Sequence, residues 1–259
     1  MLDLHVHLLG HLDREVTRGN IRLFLDEAKK KNLVQIGFAD HDMYWNDLNL
    51  DLIREVAEEY PELQVRIGLE VDYREENEEL IRKRISSYPF DYTIGSVHEI
   101  NGWFFDYPEE EEEHLRRDPD SLYLEYFALV EKAAASGMFQ IIGHFDLIKL
   151  FKIRPRIDVK ILAARALETI RKQGLAIEVN TNGRYKPVQE FYPEPKLLEL
   201  IHQMGIPITL GSDAHEPSTV GRDLEEVVRQ LKLFGVKEIT GFTGQRPHAL
   251  MFKNRLIGE

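Results

Sequence analysis

The sequence predicts one α/β barrel domain over residues 1–259, and two observations support this. Short β-branched runs alternate with longer helical patterns, which is typical of βα units around a parallel sheet. With 259 residues, 43% of them apolar, the chain can bury one large core more readily than two small ones. Seven or eight such units form a barrel, and an open doubly wound sheet is the alternative.

The individual elements are predicted from these periodicities. The strands are Leu2–His7, Val34–Ala39, Gln64–Glu70, Tyr92–Val97, Gln140–His144, Ala176–Asn180, Ile206–Gly211 and Glu238–Gly241. The helices are Asn20–Lys31, Leu50–Glu59, Glu75–Ser87, Ser121–Ala135, Val159–Gln173, Lys196–Met204 and Leu224–Leu233. Asn20, Asp120 and Asp223 are the predicted caps of three helices. The stretch Asn101–Pro119 interrupts the alternation, and its run of glutamates predicts a solvated loop or helix face.

The composition argues against several classes of function. The chain has no cysteine, so any metal must be bound by histidine, carboxylate or water. A net charge of -12 provides no basic face for nucleic acid. The absence of a long apolar run and of a signal pattern predicts a cytoplasmic protein without a membrane partner. No glycine-rich phosphate loop follows a predicted strand, so a nucleotide cofactor has no support.

Histidines are concentrated where the predicted strands end. Seven of the ten lie at or just beyond these carboxyl ends, together with two carboxylates. The set is His5, His7, His11, His41, Glu70, His98, His144, Asp213 and His215. In βα barrels this end of the strands builds the active site. His114, His202 and His248 fall outside the pattern and are expected to be structural or surface residues.

The number of candidate ligands predicts more than one metal ion. His5 and His7 are two residues apart on a strand, so both side chains leave on the same face and can reach one ion. One catalytic zinc needs only three or four protein ligands, so nine candidates predict two or three divalent ions and a bridging carboxylate. Histidine with carboxylate suits zinc, manganese or iron, and the sequence does not choose among them.

The order of these motifs resembles the polymerase-and-histidinol-phosphatase (PHP) superfamily. The motifs are His5-Val-His7, Ala39-Asp-His41, Gly68-Leu-Glu70, Ser96-Val-His98, Gly143-His144 and Gly211-Ser-Asp213-Ala-His215. They extend over nearly the whole chain and imply a distorted (β/α)7 TIM-like barrel, a single PHP phosphoesterase domain. The stretches 95–106, 143–149 and 178–187, with 192–193, resemble the histidinol-phosphate phosphatases within that superfamily.

The resemblance also implies ligand sets and a reaction. A first metal would take His5, His7, Glu70 and Asp213, a second Glu70, His98 and His144, and a third His11, His41 and His215. The implied reaction is the hydrolysis of L-histidinol phosphate to L-histidinol and inorganic phosphate in histidine biosynthesis, by a metal-bridging hydroxide that attacks phosphorus. Asp213 and His215 are candidates to protonate the leaving alcohol, and a metal-bound water is the alternative.

Candidate substrate-binding residues lie in the loops near these motifs. In the phosphate loop the relatives read Gly-Leu-Arg-Lys-Pro, whereas this chain has its arginine one residue earlier, in the stretch 183–187. The candidates for the phosphate are Lys186, Arg184 and Arg154. Trp103, Phe104, Tyr185 and Tyr192 are candidates to stack on the imidazole of the substrate. Asp106 is a candidate to pair with its amino group, and Glu190 is the alternative.

Three other functions stay open at this point. A nucleotide or oligonucleotide phosphodiesterase or exonuclease of the same superfamily would use the same metals, although the acidic charge argues against nucleic acid. An amidohydrolase also begins with His-x-His but usually adds a metal-bridging lysine, which no predicted strand end offers. A non-catalytic metal-binding module is the alternative outside enzymes. The expected partner is a small-molecule phosphomonoester, and the chain could act as a monomer or a homo-oligomer.

Overall fold

Seven parallel strands form one sheet in chain order, and the end of the sheet returns to its beginning. The computed structural model describes residues 1–252. Its strands are β1 Leu2–Val6, β2 Gln35–Phe38, β3 Gln64–Asp72, β4 Tyr92–Ser96, β5 Ile141–Ile142, β6 Ala176–Asn180 and β7 Ile208–Gly211. Val6 forms a parallel bridge with Ala214, just after β7, and the His7 amide donates to the Ala214 carbonyl at 2.8 Å. The sheet is therefore a nearly closed seven-stranded barrel, which confirms the predicted fold.

Helices follow the strands and pack against the barrel. They are α1 Arg18–Lys30, α2 Leu50–Ala57, α3 Glu78–Ser86, α4 Glu111–Arg116, α5 Pro119–Ala135, α6 Val159–Gln173, α7 Pro195–Gln203 and α8 Leu224–Leu233. Apart from α4, each buries at least one apolar residue in the core. Every residue of β1 is buried, including Asp3 and His5, because a parallel strand in a barrel is covered on both faces. The predicted bounds of β6, α6 and α8 match the structure.

Two predicted helix caps are wrong. The cap of α1 is Thr17, whose hydroxyl accepts a hydrogen bond from the Asn20 amide, so Asn20 lies inside the first turn. The cap of α5 is Asp118, and the proline that follows it fixes the start of the helix, so Asp120 also lies inside. Asp223 does occupy the cap position of α8, but its side chain makes no capping hydrogen bond.

The carboxyl-terminal part of the described chain forms a hairpin outside the barrel. The predicted eighth strand is β8 Glu238–Thr243, and it pairs antiparallel with β9 Arg246–Met251. It therefore adds no eighth barrel unit. The acidic run contains the short helix α4, in line with a solvated helix face. No helix among residues 1–252 is both long and apolar enough to span a membrane. The predicted domain boundary at residue 259 lies outside the described residues.

Candidate metal centre

The predicted ligands meet at the carboxyl end of the barrel. His5 is in β1 and Glu70 is in β3, whereas the other predicted ligands follow β1, β2, β4, β5 or β7 by one to a few residues. Because the strands are parallel and hydrogen bonded in chain order, their carboxyl ends share one edge. Residues that are far apart in sequence can therefore reach a common point.

One oxygen of Glu70 faces three histidines. Its Oε2 lies 3.2 Å from His5 Nε2, 3.5 Å from His7 Nε2 and 2.9 Å from His41 Nδ1. The carboxylate is buried, with 1% of its surface exposed. Three imidazole nitrogens around one buried carboxylate oxygen are an arrangement that a divalent cation can occupy.

The other oxygen of Glu70 faces a second group. Its Oε1 lies 3.0 Å from His144 Nε2 and 3.7 Å from His98 Nε2, and it accepts a hydrogen bond from Ser96 Oγ at 2.7 Å. The two histidine nitrogens are 3.1 Å apart. His144 has a φ of 21°, an unusual backbone conformation of the kind that accumulates at functional sites. Glu70 is thus placed between two separate groups of imidazoles.

Asp213 adds a second carboxylate to the first group. Its Oδ1 lies 3.2 Å from His7 Nε2 and 4.0 Å from His5 Nε2. Its Oδ2 accepts hydrogen bonds from the side-chain amides of Asn180 and Asn182, each at 3.3 Å. Asp213 has a φ of 52°, in the left-handed region. The two amides hold one oxygen and leave the other directed at the histidines.

Around the third predicted group, His11, His41 and His215, the structure also places His7. His7, His41 and His215 each place a ligand nitrogen within 4.8 Å of the others, and His11 is not part of this group. The His11 ring nevertheless lies 4.4 Å from the His215 ring, and His11 is exposed. Burial, two neighbouring histidines and the charge of Lys186 all lower the pKa of His11. His11 therefore lies at the rim of the cluster.

The donor atoms themselves fit divalent metal ions. Several are buried and have no hydrogen-bond partner within the described chain: His5 Nε2, His7 Nε2, His41 Nδ1, Glu70 Oε2 and His215 Nε2. Buried polar atoms are costly without a partner, so converging unpaired nitrogen and carboxylate atoms indicate a bound cation. Residues 1–252 contain three compact groups of such residues, which share His7, His41 and Glu70, and this suits more than one ion.

Comparisons with known proteins identify the family of this chain. The family model described as the PHP domain matches residues 3–182, and one described as PHP-associated matches residues 196–230. A probable histidinol-phosphatase of Deinococcus radiodurans is 37% identical over 253 residues, with 92% of this chain and 94% of that protein covered. The chain belongs to the histidinol-phosphatase family of PHP domain proteins. The predicted family is confirmed.

More distant members of the PHP family match over most of their length as well. The histidinol-phosphatase of Bacillus subtilis is 29% identical, over 78% of this chain and 89% of that protein. The crystal structure of histidinol phosphate phosphatase from Lactococcus lactis, complexed with zinc, L-histidinol and phosphate, has a TM-score of 0.75. It is 24% identical and covers 95% of this chain and 98% of that one. That structure supports the fold of this PHP domain.

The charges of neighbouring groups set the protonation of the histidines in this PHP domain. Burial lowers the pKa of His5, but the neighbouring carboxylates, Glu178 first, outweigh burial and raise it well above its usual value. Burial first, and then the neighbouring His215 and His41, hold the pKa of His7 well below its usual value. Burial also opposes a charged His98, yet Asp72 raises the pKa of His98 to about 10. Without metal, His5 and His98 therefore carry protons that offset the carboxylates.

Glu178 is a functional residue to which the sequence motifs assigned no role. Its Oε1 accepts from His5 Nδ1 at 2.7 Å, and its Oε2 accepts from the His144 amide at 2.9 Å. Gly211 makes room for it, because a Cβ there would overlap the Glu178 carboxylate and lie 2.6 Å from His5 Cβ. A carboxylate on the far nitrogen of a ligand histidine fixes the orientation of the ring and raises its basicity.

Asp72 has the same relation to His98. The two side chains are hydrogen bonded through His98 Nδ1, which leaves Nε2 directed at Glu70. Asp72 follows Glu70 by two residues on β3, so both side chains leave on the same face of the strand. The two-residue spacing from Glu70 was the sequence feature that could have identified Asp72 as a neighbour of the metal ligands.

Two predicted phosphate-binding cations are already paired with carboxylates. Arg184 is exposed and pairs with Glu226. Arg154 lies 2.6 Å from a carboxylate oxygen of Glu190 and 3.0 Å from one of Glu194. Their positive charge is largely neutralised in this conformation. The third candidate, Lys186, is exposed and forms no ion pair within residues 1–252.

The residues predicted to bind the imidazole and the amino group of the substrate differ in their hydrogen bonding. The Tyr192 ring lies 6.4 Å from the His144 ring, and its hydroxyl is buried without a partner among the described residues. Asp106 Oδ1 is likewise buried and unpaired there. Trp103 instead donates from Nε1 to Glu110 at 2.7 Å. Tyr192 and Asp106 therefore keep free polar atoms for a ligand, and the indole nitrogen of Trp103 does not.

Metal affinity is expected to rise with pH. The pKa values of His5 and His98 are raised, so each histidine must lose a proton before it can bind an ion, and a fall in pH favours the protonated, non-binding form. We expect zinc binding to metal-free protein near pH 7 to release roughly one or two protons per chain. Calorimetry in buffers of different ionisation enthalpy measures this number. Zinc binding without proton release would contradict the prediction.

Glu178→Gln is expected to weaken metal binding about 10- to 100-fold, because the amide no longer fixes the charge and orientation of His5. Competition with a metal-binding dye measures the affinity. Glu168→Gln is the matched control, since Glu168 is a partly exposed residue of α6 that pairs with nearby Arg171 and Lys172. Equal metal affinity of the Glu178→Gln and wild-type proteins would rule out this role for Glu178.

Proposed function

We propose that the protein is a metal-dependent phosphatase that hydrolyses L-histidinol phosphate to L-histidinol and inorganic phosphate. The observation that carries the proposal is the buried Glu70 carboxylate, placed between two groups of histidines at the carboxyl end of the barrel. Relatives named histidinol-phosphatase align with most of the chain, which favours this substrate over those of other PHP proteins. The proposed reaction would belong to histidine biosynthesis.

The cluster would hold two or three divalent ions, with zinc, manganese and iron as candidates. The first ion would be held by His5, His7, Glu70 and Asp213, the second by Glu70, His98 and His144, and the third by His41 and His215 with His7 or His11. When bound, such ions lower the pKa of water to give a nucleophile at neutral pH and offset the charge of the phosphoryl group. The zinc in the Lactococcus lactis complex supports zinc as a candidate.

Asp213 and His215 fit ligand roles better than the role of an acid. Burial raises the pKa of Asp213, but His5 and its neighbours outweigh burial and hold that pKa well below its usual value, so the carboxylate is ionised. Burial lowers the pKa of His215, and its Nδ1 donates to the Asp213 carbonyl at 3.0 Å. The unprotonated Nε2 is then a ligand atom, and water would supply the proton of the leaving alcohol.

The leaving group would lie against Tyr192 and Asp106. The buried, unpaired oxygen of Asp106 suits the ammonium of histidinol, which carries only donors. The Tyr192 ring is buried, so Tyr192 would offer the substrate imidazole its unpaired hydroxyl, next to His144, and not a face for stacking. Lys186 is the proposed phosphate cation of this loop. The carboxylate partners of Arg184 and Arg154 count against them, and the Trp103–Glu110 hydrogen bond limits Trp103 to contacts through its ring.

The other proposed properties follow from the composition. A net charge of -12 favours a small-molecule substrate held by local charges over nucleic acid. A cytoplasmic location stays a prediction, and the choice between a monomer and a homo-oligomer stays open.

His98→Ala is expected to lower kcat for L-histidinol phosphate by more than about a hundredfold, because it removes a ligand nitrogen at Glu70. His202→Ala, in α7, is the control and should retain wild-type turnover. Phosphate release by the metal-loaded proteins measures the effect, and metal analysis should find two or three ions per wild-type chain. At most one ion, or faster hydrolysis of single-stranded DNA than of histidinol phosphate by the wild-type protein, would contradict the proposal.

Asp106→Asn is expected to raise KM for L-histidinol phosphate roughly 10- to 100-fold, because a charge-assisted bond to the substrate ammonium is lost. The KM for p-nitrophenyl phosphate, which has no amine, should change little. Asp51→Asn, at an exposed position of α2, is the matched control. Equal changes in KM for both substrates would show that Asp106 does not recognise the amine.

A further inference from the structure

A phosphomonoester needs positive charge that is not already neutralised. Several cations in the loops at this end of the barrel are paired with carboxylates, as described for Arg184 and Arg154. Lys149 is fully buried and lies 3.1 Å from Asp146 and 3.3 Å from Glu190. A cation that binds the phosphoryl group must instead be free of carboxylate partners and lie near the metal ligands.

Arg222 meets this requirement. It lies between β7 and α8 and is partly buried. Its guanidinium carbon is 3.4 Å from the centre of the Tyr185 ring, and its Nη2 donates to Asn182 Oδ1 at 3.1 Å. Its backbone carbonyl accepts from Thr181 Oγ1 at 2.8 Å. The guanidinium is thus held against an aromatic ring by the loop that follows β6.

The contacts of Arg222 lead directly to the metal centre. Asn182, which accepts from Arg222, donates to Asp213 Oδ2 at 3.3 Å, so one amide side chain separates the guanidinium from a ligand carboxylate. Arg222 Nε is buried without a partner, and Arg222 forms no ion pair within residues 1–252. No carboxylate among the described residues therefore neutralises the guanidinium, which is separated from the ligand Asp213 by the side chain of Asn182.

We propose that Arg222 binds the phosphoryl group of the substrate, an assignment that rests on the proposed phosphatase function. A guanidinium presents a planar fork of donors that matches two phosphoryl oxygens. Stacking on Tyr185 orients this fork before the substrate arrives, so less side-chain freedom is lost on binding. Arg222 and Lys186 together would supply the cationic contacts to the phosphoryl group that Arg184 and Arg154 cannot.

The same contacts allow a purely positioning role, in which Arg222 acts through Asn182 on Asp213. The two roles predict different consequences for the metal. Loss of a positioning residue would loosen Asp213 and lower the metal content. Loss of a phosphate-binding residue would leave the metal bound and weaken only the binding of phosphate.

The test compares metal-loaded wild-type protein with Arg222→Ala and Arg222→Lys, and uses Arg229→Ala, an exposed arginine of α8, as the control. Bound metal per chain and the Kd of inorganic phosphate, from calorimetry, are measured for each. We expect Arg222→Ala to keep its metal and to bind phosphate roughly 10- to 100-fold more weakly. Arg222→Lys should be intermediate because it keeps the charge and loses the fork. Arg229→Ala should match the wild type.

Several results would overturn the assignment. These are phosphate affinity of Arg222→Ala within twofold of the wild type, loss of metal from that variant, and no phosphate binding by the wild type. If Arg222→Ala does not fold, Arg222→Lys with wild-type phosphate affinity overturns it. The binding of inorganic phosphate does not depend on which alcohol the substrate carries, so this measurement separates the proposed substrate from the proposed role of Arg222. A wild-type protein that does not hydrolyse histidinol phosphate would refute the proposed substrate. The phosphate affinities of the Arg222 variants would then still decide the role of Arg222.

Discussion

A single buried carboxylate constrains the active end of this barrel. Glu70 is 1% exposed, and burial raises its pKa, yet the charges of His41 and His5 outweigh burial and hold that pKa well below its usual value. An ionised carboxylate in such a place is costly unless positive charge or hydrogen bonds surround it. The strand ends supply this compensation at both of its oxygens, so the histidines have to converge where they do.

The charge of Glu70 is compensated by histidine rings that contact it directly, and further carboxylates contact the other side of these rings. Glu178 holds the far nitrogen of His5, and Asp72 holds that of His98. In the metal-free protein the outer carboxylates stabilise the protonated rings, and with a cation present they orient the same rings as ligands. Gly211 shows how closely the fold serves this arrangement, because any side chain there would displace the Glu178 carboxylate.

The barrel and the meeting of the metal ligands at one end of it could both be predicted from the sequence, because both depend on local patterns. Buried parallel strands are continuous apolar runs, and residues at their ends share an edge. Glu178 and Arg222 could not be found in that way. Glu178 acts on His5, a residue 173 positions away, and only the closure of the barrel brings them together. Arg222 lies in a segment without a motif, and it is connected to Asp213 through a hydrogen bond to Asn182.

The two wrong helix caps have a simpler reason. Several polar residues precede each helix, and only the backbone conformation decides which of them is the cap.

The distribution of charge also bears on the order of binding. With a net charge of -12, the protein repels a phosphomonoester at long range, and the arginines already paired in ion pairs do little to reverse this. Among residues 1–252, Lys186 and Arg222 are the unpaired cations identified at the cluster. In the metal-free protein they and the protonated His5 and His98 balance the charge of Glu70, Asp213, Glu178 and Asp72 without creating a positive patch. Divalent ions would make the potential positive at this point, because each brings two charges into a buried site. A phosphomonoester would therefore bind well only after the metals, so substrate affinity and metal occupancy would be coupled through electrostatics alone.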